Sequence, residues 1–131
     1  MVSLDKADII IAGGRGMGGI EGLKELEGLG NLFREFFENV EIGASRPAVD
    51  LGWVASNRQV GLTGEKVAPA LYIAVGISGA IQHLVGIMRA EKIVAINNDS
   101  KSNIFTVADF GVVGDYKEIL PAFKKKWEEM S

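Results

Sequence analysis

The side chains whose type and setting could do chemistry are few. They are Arg15 and Arg46 in small-residue turns, Ser45 and Ser78 at comparable breaks, and His83, the one histidine of the chain. A guanidinium in a glycine turn is suited to a forked contact with phosphate. A hydroxyl beside the unpartnered amides that open a helix can join them in holding an anion, and an imidazole near a developing anion has an electrostatic purpose. Together these residue types point to a nucleotide-like cofactor. A Ser/His/Asp hydrolase built from Ser78, His83 and Asp109 or Asp115 is the weaker reading: Gly76-Ile-Ser-Gly79 is not G-x-S-x-G, and His83 follows Ser78 by only five residues on one element. His83 taken alone could equally be a helix residue bonded to a backbone carbonyl.

The elements that must position these groups alternate between strand and helix. Ile9 to Ala12 is a first strand, and Ile20 to Glu38 a helix, with Leu23, Leu26, Leu32, Phe33, Phe36 and Phe37 recurring at three- and four-residue steps. Gly28 and Gly30 either kink that helix or permit close packing against the sheet, packing being the preferred reading. Val40 to Gly43 is a second strand; Ser45 caps and Pro47 opens a short helix over Ala48 to Trp53. Residues 55–64 form a polar, ligand-facing loop. Val67 to Val75 runs into a buried strand, with Pro69 near its start. Gly76-Ile-Ser-Gly79 breaks that strand, and Ser78 is expected to cap a helix over Ala80 to Met88. Lys92 to Ile96 is a further buried strand, Ile104 to Val107 and Gly111 to Val113 are short strands about the Ala108-Asp109-Phe110 turn, and Tyr116 to Met130 is a helix capped by Asp115. This order predicts an α/β fold: an open, mostly parallel, Rossmann-like sheet with helices on both faces, residues 1–131 forming one domain. Ligands of such sheets bind beyond the carboxyl ends of the strands, where Arg15, Ser45, Arg46, Ser78 and Asn97 all fall.

Composition narrows the function classes. The 131 residues contain no cysteine, which excludes disulfides and thiolate chemistry, and a single histidine rules out a histidine-rich metal site. A net charge of −3 argues against binding nucleic acid through phosphate neutralisation, and Lys124 to Lys126 fits a solvated helix end. No apolar run reaches membrane-span length, so no membrane insertion is expected; the charged N-terminal residues do not make a targeting segment. Glycine, 17 of 131 residues, falls largely in turns beside strands. Gly14, Gly16 and Gly19 match G-x-G-x-x-G, the spacing of a dinucleotide-binding loop. Its acidic partner about 20 residues on would have to be Glu38 or Glu41, neither of which ends the second strand. An NAD-dependent oxidoreductase and a non-catalytic adenine-nucleotide-binding module therefore stand as alternatives.

Seven motifs carry a family resemblance: Gly13-Gly-Arg-Gly16; Gly43-Ala-Ser-Arg46 with Ala48-Val-Asp50; Gln59-Val-Gly-x-Thr-Gly64; Val67-Ala-Pro69; Leu71 through Leu84; Val94-Ala-Ile-Asn97; and Val107-Ala-Asp109. In this order they resemble the C-terminal FAD-binding domain of the electron transfer flavoprotein alpha subunit, from about Ala7 onward. The resemblance implies noncovalent FAD as the cofactor, no catalytic residue, and an electron carrier without substrate turnover of its own. It implies a heterodimer with the family's beta subunit, acyl-CoA-type or other flavin dehydrogenases as donors, as in fatty acid beta-oxidation, and a quinone reductase or other acceptor. The setting would be the bacterial cytoplasm or a mitochondrial matrix. Carried over by motif, Arg15, Ser45 and Arg46 would line the flavin and phosphate region. Gln59, Val60, Gly61, Leu62, Thr63 and Gly64 would lie along the flavin, with Thr63 at its N5 edge, and His83 would approach O2. Ser78, Gly79, Ala80, Ile81 and Gln82 would follow the ribityl and pyrophosphate chain, and Asn97 and Asp115 would reach the adenosine end. Leu62 departs from the glutamine many members carry, which would alter hydrogen bonding to the flavin. The family's N-terminal alpha domain is not contained in the sequence, and because the partner subunit would cover part of the flavin, FAD is expected to be held weakly by this domain alone.

Overall fold

Ile9-Ile-Ile-Ala-Gly13 offers apolar or small residues to both faces of a pleat, which only a strand covered on both sides can satisfy. In the computed structural model, which describes residues 3–61 and 67–130, it is the fully buried strand β1. It is flanked by β2 (Val40–Ala44) and β3 (Leu71–Val75), with β4 (Lys92–Asn97) and β5 (Phe110–Val113) beyond β3, giving the order β2-β1-β3-β4-β5. All four pairings are parallel, and Ile11 sits level with Ile42 on one side and Ile73 on the other. The fold is therefore the α/β parallel sheet the alternation predicts.

Side chains alternate across the sheet. Ile9, Ile11, Ile73, Val75 and Ile96 meet Leu23, Leu26, Leu29 and Phe33 of α1 (Ile20–Arg34) and Leu120 of α4 (Tyr116–Met130). Ile10, Ala12, Tyr72, Ala74, Ile93 and Ala95 meet Ile87 of α3 (Ile81–Ile87) and Ile104. Helices thus cover both faces, and each fully buried Leu or Ile contributes about 1.5–3 kcal/mol. Trp53 and Trp127 are packing residues of the first layer, Trp127 edge-on to Phe33 at 5.1 Å. Gly30 faces Ile42 of β2 and Gly28 faces Lys124 of α4, so both serve close packing inside an unbroken α1.

Several boundaries differ from expectation for identifiable reasons. Helix α1 stops at Arg34 rather than Glu38: the Arg34 guanidinium donates to the Val40 carbonyl at 3.1 and 2.9 Å, and Asn39 turns the chain at φ 55°. Helix α2 is Arg46–Asp50, beginning before Ala48 and ending before Trp53. Strand β3, by contrast, spans Leu71–Val75, the apolar run into which the segment from Val67 leads, with Ala70 and Leu71 donating to the Asp8 carbonyl at its start. Ser78 does not cap α3. Gly79, at φ 92°, turns the chain after it, the Ser78 carbonyl accepts from Ile104 N at 3.0 Å, and Ala80 takes the N-cap position. That same bond explains why Ile104 to Val107 is no strand: Asn103–Thr106 winds as a 3-10 turn whose Ile104 plugs the core. Asp109 clamps the loop before β5, accepting from Ile93 N and donating its own N–H to Ile93 O, both at 2.8 Å. Asp115 accepts from Lys117 N at 2.9 Å, as a cap should.

Candidate functional site

Where neighbouring connections leave a parallel sheet on opposite faces, the chain parts and leaves a crevice at the carboxyl edge. In this order that point lies between β1 and β3. The loop after β1 and the loop after β3 are locked together there: Gly14 N donates to Val75 O and Gly16 N to Gly76 O, each at 3.0 Å. A Cβ on Gly16 would stand 2.9 Å from the Gly76 backbone, and Gly76 itself has φ 65°. These glycines thus permit two backbones to touch. They do not free amides for a pyrophosphate, since the Gly14 and Gly16 donors are already taken. Gly19, the third of the fingerprint spacing, has no neighbour within 4 Å of a would-be Cβ, so it does not serve helix–sheet contact either. Glu41 lies at the amino end of β2 and pairs with Arg58 at 3.2 Å, far from the ribose position a dinucleotide fingerprint requires. The geometry removes the supports of the nicotinamide reading.

A cavity of about 440 Å³ opens at this crevice, within the usual size for a small-molecule site. Of the residues anticipated, it brings together Arg15, Ser45, Arg46, Gln59, Val60, Gly61, Ser78, Gly79, Ala80, Gln82, His83 and Asn97. Ile81 is not in its wall and is 76% exposed. Asp115 lines a small neighbouring cleft that shares Gly16, Gly76 and Asn97 with the cavity. Leu62, Thr63 and Gly64 lie outside the described residues. Sequence reasoning missed Gly16, Pro47, Asp50, Gly76, Ile77, Asp99 and Ser102 as wall residues. Asp50 closes α2 and Asp99 follows β4, and that placement near strand ends was the only signal in the sequence for either.

Each wall segment has a local cause. Ser45 follows β2 with extended backbone and is buried, yet its Oγ makes neither a cap bond nor any other hydrogen bond among the described residues. Arg46, exposed, reaches Asp50 one turn on at 3.4 Å; Arg15 is exposed on a 3-10 turn that the Tyr116 hydroxyl steadies by donating to Met17 O at 2.7 Å. Residues 59–61 return beside β2 through the Ala44–Gln59 bridge and Val60 N to Ala44 O. They press against α3 at Gly86, where a Cβ would meet Gly61 at 2.7 Å. Asn97 ties the floor, donating to Ile77 O and accepting from Asp99 N, both at 2.9 Å.

His83 is buried in the first turn of α3, with Nε2 2.7 Å from the Tyr72 hydroxyl and Nδ1 without a hydrogen bond among the described residues. Its partner is a tyrosine, while Asp109 and Asp115 serve backbone amides, so no hydrolase triad is assembled. Burial lowers its pKa to about 4, against the Val60 backbone carbonyl, which approaches the ring and acts the other way without completing a well-formed hydrogen bond, and the ring is neutral at pH 7. An NMR titration of this sole histidine should give a midpoint near pH 4; a midpoint at the ordinary 6.5 would show a solvated ring. Because the folded value lies below the unfolded one, the unfolded chain takes the proton first as pH falls. This group therefore leaves stability intact above about 6.5 and removes roughly 3 kcal/mol by the time pH reaches about 4.

Buried, unpartnered polar atoms beside a roomy cavity call for a ligand to satisfy them. Ser45 Oγ and His83 Nδ1 are such atoms, two guanidiniums stand at the rim, and the walls include Val60, Ile77 and Ala80. That mixture of donors, cations and apolar surface fits a flavin nucleotide, with its planar ring and anionic pyrophosphate.

The comparisons agree. The family described as electron transfer flavoprotein FAD-binding domain matches residues 3–88. An electron transfer flavoprotein subunit alpha of Thermoanaerobacterium thermosaccharolyticum is 48% identical over 121 residues, 92% of this chain and 35% of that one. The Bacillus subtilis subunit alpha is 43% identical over 130 residues, 99% and 38% of the two chains. The mitochondrial subunit alpha of Arabidopsis thaliana is 45% identical over 126 residues, 96% and 33%. This chain thus spans about a third of the length of these relatives. With more than half of its residues matched, the chain belongs to the electron transfer flavoprotein FAD-binding domain family.

Proposed function

We propose that the chain is the FAD-binding domain of an electron carrier. It would work in an alpha subunit paired with a beta subunit, taking electrons from flavin dehydrogenases and passing them to a quinone reductase or another acceptor. The observation that carries this reading is the crevice between β1 and β3, where Ser45 Oγ and His83 Nδ1 are buried without a hydrogen bond among the described residues. The family membership and the relatives' names as subunit alpha support the pairing. Among the described residues no helix is long and apolar enough to cross a membrane.

FAD, when bound, supplies reversible one- and two-electron chemistry. The chain's own residues would bind and orient it. Arg15 and Arg46 would meet negative charge on the pyrophosphate and the reduced ring. Ser45 and His83 would donate hydrogen bonds, and the backbone from Gln59 to Gly61 and from Ser78 to Gln82 would enclose the ring and its chain. Electron transfer itself asks for no general acid or base from the chain. Titration of the chain with FAD should give saturable binding with changes in the flavin's absorption and fluorescence, tightened by an electron transfer flavoprotein beta subunit. Binding of NAD with no binding of FAD, in either arm, would overturn the proposal.

A further inference from the structure

Tyr72 lies in the middle of β3, wholly buried on the sheet face that carries α3. Its hydroxyl has one proton to donate, and the hydrogen-bond partner found for it is His83 Nε2 at 2.7 Å. Two arrangements are open to the pair. If Nε2 carries the imidazole proton and donates to the hydroxyl oxygen, the phenolic proton has no acceptor and Nδ1 is a bare acceptor without a donor. Two buried groups are then unsatisfied. If the hydroxyl donates to Nε2, the imidazole proton sits on Nδ1, and only that N–H, on a ring that the Val60 backbone carbonyl also approaches, lacks a well-formed hydrogen bond among the described residues. Unpaired buried groups are the costly ones, so the second arrangement prevails. Burial raises the Tyr72 hydroxyl well above its ordinary pKa, so it keeps the proton this requires.

From this geometry we infer that Tyr72 is a positioning residue: it fixes His83 in the Nδ1–H tautomer, making the imidazole a neutral, directed hydrogen-bond donor on the cavity wall. The ligand group that suits such a donor is an acceptor atom, neutral or anionic, such as a ring carbonyl oxygen. A neutral donor can serve both the uncharged and the negatively charged form of one acceptor. The identity of the ligand rests on the FAD reading above, whereas the tautomer does not.

Because the chain has a single histidine, long-range proton–nitrogen correlation NMR of the ¹⁵N-labelled chain without FAD reads both ring nitrogens unambiguously. Near pH 7 the wild type should show a protonated Nδ1 and a pyridine-like Nε2. Tyr72→Phe keeps the ring and removes the hydroxyl; it should move the proton largely to Nε2 and weaken FAD binding roughly fivefold to tenfold. A wild-type spectrum with the proton on Nε2, or shared between the nitrogens, overturns the inference and needs no variant. So does an unchanged tautomer in a folded Tyr72→Phe protein. A tautomer that switches while FAD affinity stays constant overturns the donor role toward FAD. Failure of the wild type to bind FAD sinks the FAD reading instead, with the tautomer still decided by the unliganded spectrum.

Discussion

Gly79→Ala should lower the unfolding free energy by about 4 kcal/mol and abolish measurable FAD binding by the isolated chain. Two costs combine. At φ 92° an L side chain is strained, which costs of order 1–3 kcal/mol. The new Cβ would also stand 2.4 Å from Ile104 N and 2.8 Å from Ile104 Cα. That neighbour is backbone and cannot rotate away, and forced overpacking adds about 1–3 kcal/mol. Relief by moving Ile104 breaks its hydrogen bond to Ser78 O and withdraws a fully buried side chain from the α3-side core. Because Ser78, Gly79 and Ala80 are consecutive wall residues, the displacement reaches the cavity directly. Against an ordinary domain stability of about 5–15 kcal/mol, the variant would unfold in much less urea. Gly18→Ala is the control: its φ is 80°, yet nothing lies within 4 Å of the added Cβ, so it should cost only the backbone strain, about 1–2 kcal/mol. Equal losses for the two substitutions would show that the close approach of Gly79 to Ile104 is not what the position requires.

The same contact marks where sequence reasoning ran out. The strands β1, β3 and β4 were legible because buried parallel strands are continuous apolar runs, and the crevice followed from where those runs end. Arg15, Ser45, Arg46, Ser78 and Asn97 were placed at the strand ends by that logic, and all line the cavity, as does His83. The failures are tertiary. Ser78 has the local chemistry of a cap, but a bond from residue 104 holds its carbonyl and Gly79 delays the helix to Ile81. Ile104 and Val107 have strand-forming side chains, but the chain there is tied to the loop after β3 and never reaches a sheet edge. Tyr72 reads as one more apolar residue of a core strand. Its importance depends on which nitrogen of His83, eleven residues on, meets its hydroxyl. A buried strand tyrosine always needs an acceptor, and the single histidine in the following helix was the available signal. The glycine loop taught the opposite lesson. Its spacing matched a nucleotide fingerprint, while its glycines serve the contact between Gly16 and Gly76.

Replacing both rim guanidiniums should affect binding most among changes that leave the fold intact. Arg15 and Arg46 are exposed, and the Arg46 side chain is 61% accessible. Neither supports the core, so Arg15→Ala/Arg46→Ala should unfold within about 0.5 kcal/mol of the wild type. A hydrogen bond to a charged group contributes about 1.5–3 kcal/mol when sheltered, and exposure reduces that. Each single change should therefore weaken FAD about fivefold to tenfold and the double change roughly fiftyfold, read by fluorescence titration. The wild-type affinity should fall as salt rises, while the double variant should be nearly insensitive, because the screened charges are gone. The two arginines are further separable by their surroundings. Arg46 shares its charge with Asp50 at 3.4 Å, whereas Arg15 makes no ion pair among the described residues, so Asp50→Asn should tighten binding slightly through Arg46 alone. Removing Arg46 should also make the bound flavin harder to reduce, since a nearby cation favours the negatively charged form. If affinity, salt dependence and potential are all unchanged in the double variant, the guanidiniums do not face the cofactor, and recognition must rest on the buried donors Ser45 and His83 and the enclosing backbone.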